Sequence, residues 1–165
     1  MIPSRAARFA AAYALLRAAA DVADHWIQTD HQACTKGQHD GREGESSAAG
    51  RAACAAHVAA YVAAQGLALW GGARLLGVRL RPAPVAAALT VSAATHYIAD
   101  RREPLRRIAA ATGKGNFYAL GTPAHPAHPT TADGKYAPVL GTGAYALDQA
   151  WHHGWEIVAA LIASA

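Results

Sequence analysis

The sequence predicts an all-α protein, built as an antiparallel bundle of four main helices. Alanine dominates the hydrophobic share, which is 53% of the 165 residues, and alanine is the best helix former. Stretches rich in Gly, Pro and Ser divide the chain into long apolar segments, and no segment shows the two-residue alternation of a strand. We therefore expect a single helical domain over residues 1–165.

A polar loop separates the first two predicted helices. Residues 6–33 contain no Pro or Gly and follow Pro3 and Ser4, which are typical of a helix start. Residues 35–50 are polar and rich in Gly and Ser, so they predict a loop. The second helix follows, and its residues 52–73 include no Lys, Arg, Asp or Glu. A helix of that length can cross a lipid bilayer.

Two further helices are predicted on either side of a basic segment and a long loop. The third helix covers residues 84–100 and is uncharged up to Ala99. A short basic helix comes next, at residues 101–113. Residues 113–138 are rich in Gly, Pro and Thr, and they predict a long irregular loop before the last helix. The fourth main helix then extends over residues 139–165.

The distribution of charge favours a membrane location. The second and third helices lack the polar face that a soluble helical bundle requires. The first and fourth carry charges, among them Arg17 and Glu156, which a membrane bundle accommodates where such charges meet each other or water. We therefore predict a multi-pass protein of the bacterial inner membrane, with membrane lipid as a partner. A soluble basic helical regulator is the alternative.

The basic balance bears on partners and on orientation. The net charge is +4, but no groove-reading motif is present, so nucleic acid is not an expected partner. Basic residues concentrate in residues 35–51 and 101–137, and the positive-inside rule places that side in the cytoplasm.

The two cysteines, Cys34 and Cys54, are too few for a zinc ribbon or a disulfide scaffold.

Polar residues recur at one level of the predicted bundle. His96 and Asp100 are four residues apart and share a helix face, as do Asp148 and His152. Folding the second and third helices into a hairpin brings His57 level with His96, and the first helix supplies a carboxylate at a similar height. This layer contains Asp24, His57, His96, Asp100, Asp148 and His152.

Imidazole and carboxylate groups together are typical ligands of a divalent metal ion such as Zn²⁺. The sequence therefore predicts a metal site in the layer, in which the ion activates water for hydrolysis. Asp24 is the candidate catalytic residue, either as a general base or as a further ligand. The candidate ligands are His57, His96, Asp100, Asp148 and His152.

The same residues are also suited to a purely structural role. A hydrogen-bonded network of imidazoles and carboxylates can fix the register of four helices without any metal. The protein would then be a non-enzymatic membrane accessory or interaction protein, of the mobile-element or phage type. Its basic segment 101–107 and the long loop would bind a protein partner. Both uses stay open, and with them the question of whether the protein is an enzyme.

The order of four motifs resembles an uncharacterised family of small bacterial polytopic membrane proteins, classed as a domain of unknown function. The family shows an acidic residue before a QTD element, a histidine in the second helix, HxxxD and DQxxH. Here these elements are "ADHWIQTD", His57, "HYIAD" and "DQAWH". The resemblance implies a helical membrane protein but no established activity. The long loop at 113–138 and the low content of Leu, Ile and Val depart from the family pattern.

Overall fold

The computed structural model describes residues 3–121 and 142–165, and every regular element in these two ranges is helical. The predicted all-α class is therefore confirmed for the described part of the chain. A π-helical turn at Ala23–Ile27 extends the first helix. The α-helices are α1 (Arg5–Val22), α2 (Asp30–Thr35), α3 (Ser47–Leu75), α4 (Pro82–Asp100), α5 (Glu103–Ala111), α6 (Gly115–Tyr118) and α7 (Gly143–Ala163).

The four long helices α1, α3, α4 and α7 form a ring in which each packs against two others, in that order. Neighbouring helices run antiparallel. The start of α1 meets the end of α7, where Arg8 Nε donates a hydrogen bond to the carbonyl oxygen of Ser164 (3.0 Å). The end of α4 meets the first half of α7, where Trp151 Nε1 donates to the carbonyl oxygen of Thr95 (2.9 Å).

Small side chains fill the half of the bundle that lies near the start of α1. Alanines surround two leucines there, so the helices approach closely, although each alanine gains little transfer free energy by burial. Close approach also explains Gly72, where an added Cβ would collide with the side chain of Leu15. The buried members of this core are Ala12, Leu16, Leu69, Ala88, Ala159, Ala160 and Ala163.

The first helix differs from the prediction of one helix over residues 6–33. The π-helical turn ends at Ile27, and the backbone of the next residue, Gln28, leaves the helical conformation (ψ 130°). Thr29 then caps α2, since its side chain accepts a hydrogen bond from the backbone N–H of Gln32 and the Gln32 side chain accepts one from Thr29 N–H. No Pro or Gly marks this break. The spacing of Thr29 and Gln32, a capping box, is the signal that could have revealed it.

The remaining predicted elements match the structure with small shifts. The polar loop predicted at 35–50 begins after α2 and ends at Ser46, which caps α3. The basic segment forms α5, as predicted. The predicted long loop at 113–138 begins with the short helix α6, and its residues from 122 onward lie outside the described ranges.

Within the described ranges, one helix is long and apolar enough to cross a membrane, and it is α3. Core helices of soluble proteins can share that length and composition, so a transmembrane bundle of four helices is not confirmed and a multi-pass location is not supported. The physical reason lies in composition. Charged side chains interrupt α1 and α7, among them Arg17 and Glu156, and alanine makes up much of the apolar share of α4. The membrane location stays a prediction.

Candidate metal centre

Three helical elements bring two imidazoles and two carboxylates to one point. Asp24 lies in the π-helical turn, a distortion that redirects side chains and is frequent at functional sites. His57 lies in the first half of α3, and His96 and Asp100 share one face at the end of α4. The structure thus brings together four of the residues predicted from the sequence.

The atoms of these four side chains are closely spaced. His57 Nε2 lies 3.0 Å from His96 Nε2 and 3.1 Å from Asp24 Oδ1. Asp100 Oδ2 lies 3.3 Å from His57 Nε2 and 3.1 Å from His96 Nε2. The distance between His96 Nε2 and Asp24 Oδ1 is 3.4 Å. Each imidazole nitrogen therefore contacts the other imidazole and both carboxylates.

The cluster is shielded from solvent. His57, His96 and Asp100 are 0%, 2% and 5% exposed, respectively. The ring of Tyr61 lies over His96, with ring centroids 3.8 Å apart, and closes the cluster on the side of the bundle core. Electrostatic interactions between these groups are strong at such burial because little water screens them.

The other two predicted residues lie at the edge of the same cluster. The ring of His152 meets His96 edge to face, with centroids 4.4 Å apart. Asp148, one helical turn before His152, is partly exposed, and its Oδ2 lies 3.6 Å from His152 Nδ1. Ligand atoms lie within 4.8 Å of one another in three sets: Asp24, His96 and His152; His57, His96 and Asp100; Asp100, Asp148 and His152. Several His and Asp groups can therefore hold a metal ion.

Burial raises the pKa values of the carboxyl groups in this cluster, whereas the neighbouring histidines and Lys36 lower them. Burial raises the pKa of Asp24, but the hydrogen bond from His57 and the nearby His96 outweigh it and hold the pKa below its ordinary value. The pKa of Asp100 is lowered in the same way, with burial outweighed by His96 and Lys36. Burial raises the pKa of Asp148. Asp24 and Asp100 are therefore ionised at neutral pH, as metal ligands must be.

One further residue belongs to this cluster, and no sequence pattern predicted it. Lys36 Nζ lies 2.8 Å from Asp100 Oδ1, and the lysine side chain is largely buried. The backbone that carries Lys36 is fixed by Arg101, which donates hydrogen bonds to the carbonyl oxygens of Lys36 and Gln38. Lys36 follows α2 in the chain, and no local sequence pattern links it to α4.

A second buried polar network lies one helical turn beyond His152 on α7. Glu156 is 2% exposed and accepts hydrogen bonds from Arg17 Nη1 (3.1 Å) and from the Tyr61 hydroxyl (3.3 Å). Burial raises the pKa of Glu156 to about 7, even though the positive charge of Arg17 opposes this shift. Arg17 and Glu156 therefore meet inside the bundle, as their positions in apolar segments require.

No protein-family model, curated protein or solved structure matches this chain. The resemblance to the family of small polytopic membrane proteins therefore rests on its motifs and stays a prediction.

Proposed function

We propose that the protein binds a divalent transition-metal ion through Asp24, His57, His96 and Asp100. The observation that carries this proposal is the set of five distances of 3.0–3.4 Å between their nitrogen and oxygen atoms. Ligands that bind one ion at about 2.0–2.1 Å, at angles of about 90–110°, lie about 2.9–3.4 Å apart. Five of the six distances between these four atoms therefore match the spacing of ligands around a single ion, a spacing that hydrogen-bonded groups share.

The donor atoms indicate which ions fit. Calcium and magnesium are bound almost entirely by oxygen atoms, whereas this set contains two imidazole nitrogens. Imidazole combined with carboxylate suits Zn²⁺, Fe²⁺ and similar ions. Zn²⁺ or a similar ion is therefore the proposed ligand.

Hydrogen-bond counting is consistent with both an ion and a metal-free network. Without an ion, one imidazole can donate its Nε2–H while the other accepts at Nε2 across the 3.0 Å between His57 Nε2 and His96 Nε2. With an ion on both Nε2 atoms, each Nδ1 carries a proton, and both Nδ1 atoms are buried with no hydrogen-bond partner among the described residues.

The role of Asp24 decides what the centre can do. If all four side chains bind the ion, the site is closed, as in structural zinc sites. If Asp24 is not a ligand, three ligands remain and the fourth position can hold a water molecule. Asp24 Oδ1, which lies 3.1 Å from His57 Nε2, would then serve as the general base for that water. Hydrolysis by such a water is the activity that we propose for the open form.

Elemental analysis of the purified wild-type protein tests the proposal. We expect about one equivalent of transition metal, its loss in His96→Ala, and its retention in His31→Ala, which changes an exposed histidine outside the cluster. Circular dichroism of each variant shows whether the fold persists. A wild-type protein that holds no metal after addition and washing would refute the proposal. Destabilisation by His96→Ala in metal-free protein would then indicate a structural network.

The Asp24→Asn variant separates a closed site from an open one. If Asp24 is a ligand, the substitution lowers metal affinity by about tenfold or more. If Asp24 is the general base, the ion stays bound, and hydrolysis of model esters and phosphate esters falls by about 10²–10⁴-fold.

A further inference from the structure

We propose that a second divalent ion binds beside the first, held by His152 and Asp148, with Asp100 shared between the two ions. This inference rests on the proposed function, because Asp100 is a ligand of the first ion as well. It adds a second site and a defined stoichiometry to the metal centre.

His152 is prepared to bind a cation. Its Nδ1 lies 2.8 Å from the backbone carbonyl oxygen of Asp148, so the Nδ1–H donates to this oxygen and the lone pair resides on Nε2. Nε2 is buried and has no hydrogen-bond partner among the described residues, and the side chain is only 5% exposed. Ligating histidines typically donate their other ring N–H to a carbonyl in this way.

Asp100 is placed to serve two ions. Its Oδ2 faces His57 and His96 at 3.3 and 3.1 Å, while Oδ1 points to Lys36. Asp100 also belongs to the set with Asp148 and His152, whose ligand atoms lie within 4.8 Å of one another. Paired ions in hydrolytic enzymes are about 3.5–4 Å apart, and Asp100 would serve both ions if each ion bound one of the two sets.

The position of α7 relative to α4 is fixed, so His152 cannot easily turn away. Trp151 Nε1 donates a hydrogen bond to the carbonyl oxygen of Thr95, one residue before His96. The ring of His152 packs edge to face on His96. These two contacts hold His152 beside the end of α4, where Asp100 lies.

Lys36 competes with the second ion. Its ammonium group lies 2.8 Å from Asp100 Oδ1, and its charge also acts on Asp148. In the absence of a second ion, this ammonium forms an ion pair with Asp100. The second ion must displace it, so the second ion binds more weakly than the first.

Equilibrium dialysis with excess Mn²⁺ or Zn²⁺, followed by metal analysis, tests the second site on the full chain. We expect two equivalents of metal in the wild type and one in each of the variants His152→Ala and Asp148→Ala. Asp148 is the more exposed of the two residues. The matched control is His153→Ala, which removes the neighbouring histidine outside the cluster and should retain two equivalents. Electron paramagnetic resonance of the Mn²⁺ form should show two exchange-coupled ions in the wild type.

The outcomes separate this inference from the proposed function. A wild type that binds no ion would refute both. One equivalent in the wild type and in His152→Ala would refute the second site alone. Two equivalents in His152→Ala and Asp148→Ala, or uncoupled Mn²⁺ spectra at two equivalents, would place the second ion elsewhere.

The Lys36→Met variant tests whether the ammonium group of Lys36 competes with the second ion for Asp100. Removal of the ammonium should tighten binding of the second ion by about tenfold or more. An unchanged affinity for the second ion would show that Lys36 does not compete for Asp100.

Discussion

The buried carboxyl group of Glu156 makes the stability of the bundle depend on pH. Glu156 has an ordinary pKa of 4.5 in the unfolded chain, and burial in the folded protein raises its pKa to about 7. The folded state therefore holds this proton more tightly than the unfolded state. This contribution to stability is fully present below pH 4.5 and is lost as the pH rises through about 7.

The size of this effect follows from the two pKa values. Each pH unit between them corresponds to about 1.4 kcal/mol, so ionising Glu156 in the folded protein costs about 3 kcal/mol. Substitution by Gln removes the titration and keeps an oxygen that accepts the hydrogen bond from Tyr61. For a chain of this length, about 3 kcal/mol corresponds to about 6–12 °C in melting temperature.

Thermal unfolding followed by circular dichroism between pH 4 and 8 measures this dependence. The melting temperature of Glu156→Gln should rise relative to the wild type as the pH increases from 4.5 to about 7, and the difference should then stay constant. The control is Asp21→Asn, which removes an exposed carboxylate from the same arginine and should change stability by less than about 1 kcal/mol. A difference between wild type and Glu156→Gln that does not vary with pH would refute the argument from burial.

Two further predictions concern packing and location. Leu16→Ala should lower the free energy of unfolding by about 2–5 kcal/mol, because the surrounding alanines are too small to fill the cavity that it leaves. The control Leu67→Ala changes an exposed leucine and should lower it by less than about 1 kcal/mol. Thermal unfolding measures both. Equal effects of the two substitutions would contradict the assigned core. Large apolar side chains are exposed on α3 and α7, among them Trp70 and Leu161, so we expect the protein to sediment with membranes and to require detergent for release. Recovery in the cytosolic fraction without detergent would favour the soluble alternative.

Local sequence patterns were sufficient to find most of the helices and the pairs within them. Alanine-rich segments without Pro or Gly predicted the long helices, because helix propensity accumulates along a segment. The four-residue spacing of His96 and Asp100 predicted a shared face, since this follows from helix geometry alone. The short connection between α3 and α4 also made these two helices antiparallel, which brought His57 level with His96.

The break after α1 and the position of Lys36 were beyond this reasoning. The π-helical turn at Ala23–Ile27 contains no residue that disfavours an α-helix strongly, so it depends on how α1 packs against α3. Lys36 reaches Asp100 because Arg101 binds the backbone beside it, a contact between residues 65 positions apart in the chain. Contacts over such distances depend on the packed fold and leave no periodic signal.

The sequence by itself therefore determined the helical class, the main helices and the composition of the His and Asp layer. Only the tertiary structure decided how these side chains meet. His57 and His96 lie 3.0 Å apart, Lys36 pairs with Asp100, and His152 Nε2 is buried with no hydrogen-bond partner among the described residues. The physical reason is that propensity and periodicity act within a few residues, whereas distances between atoms on different helices depend on the packing of all the helices together.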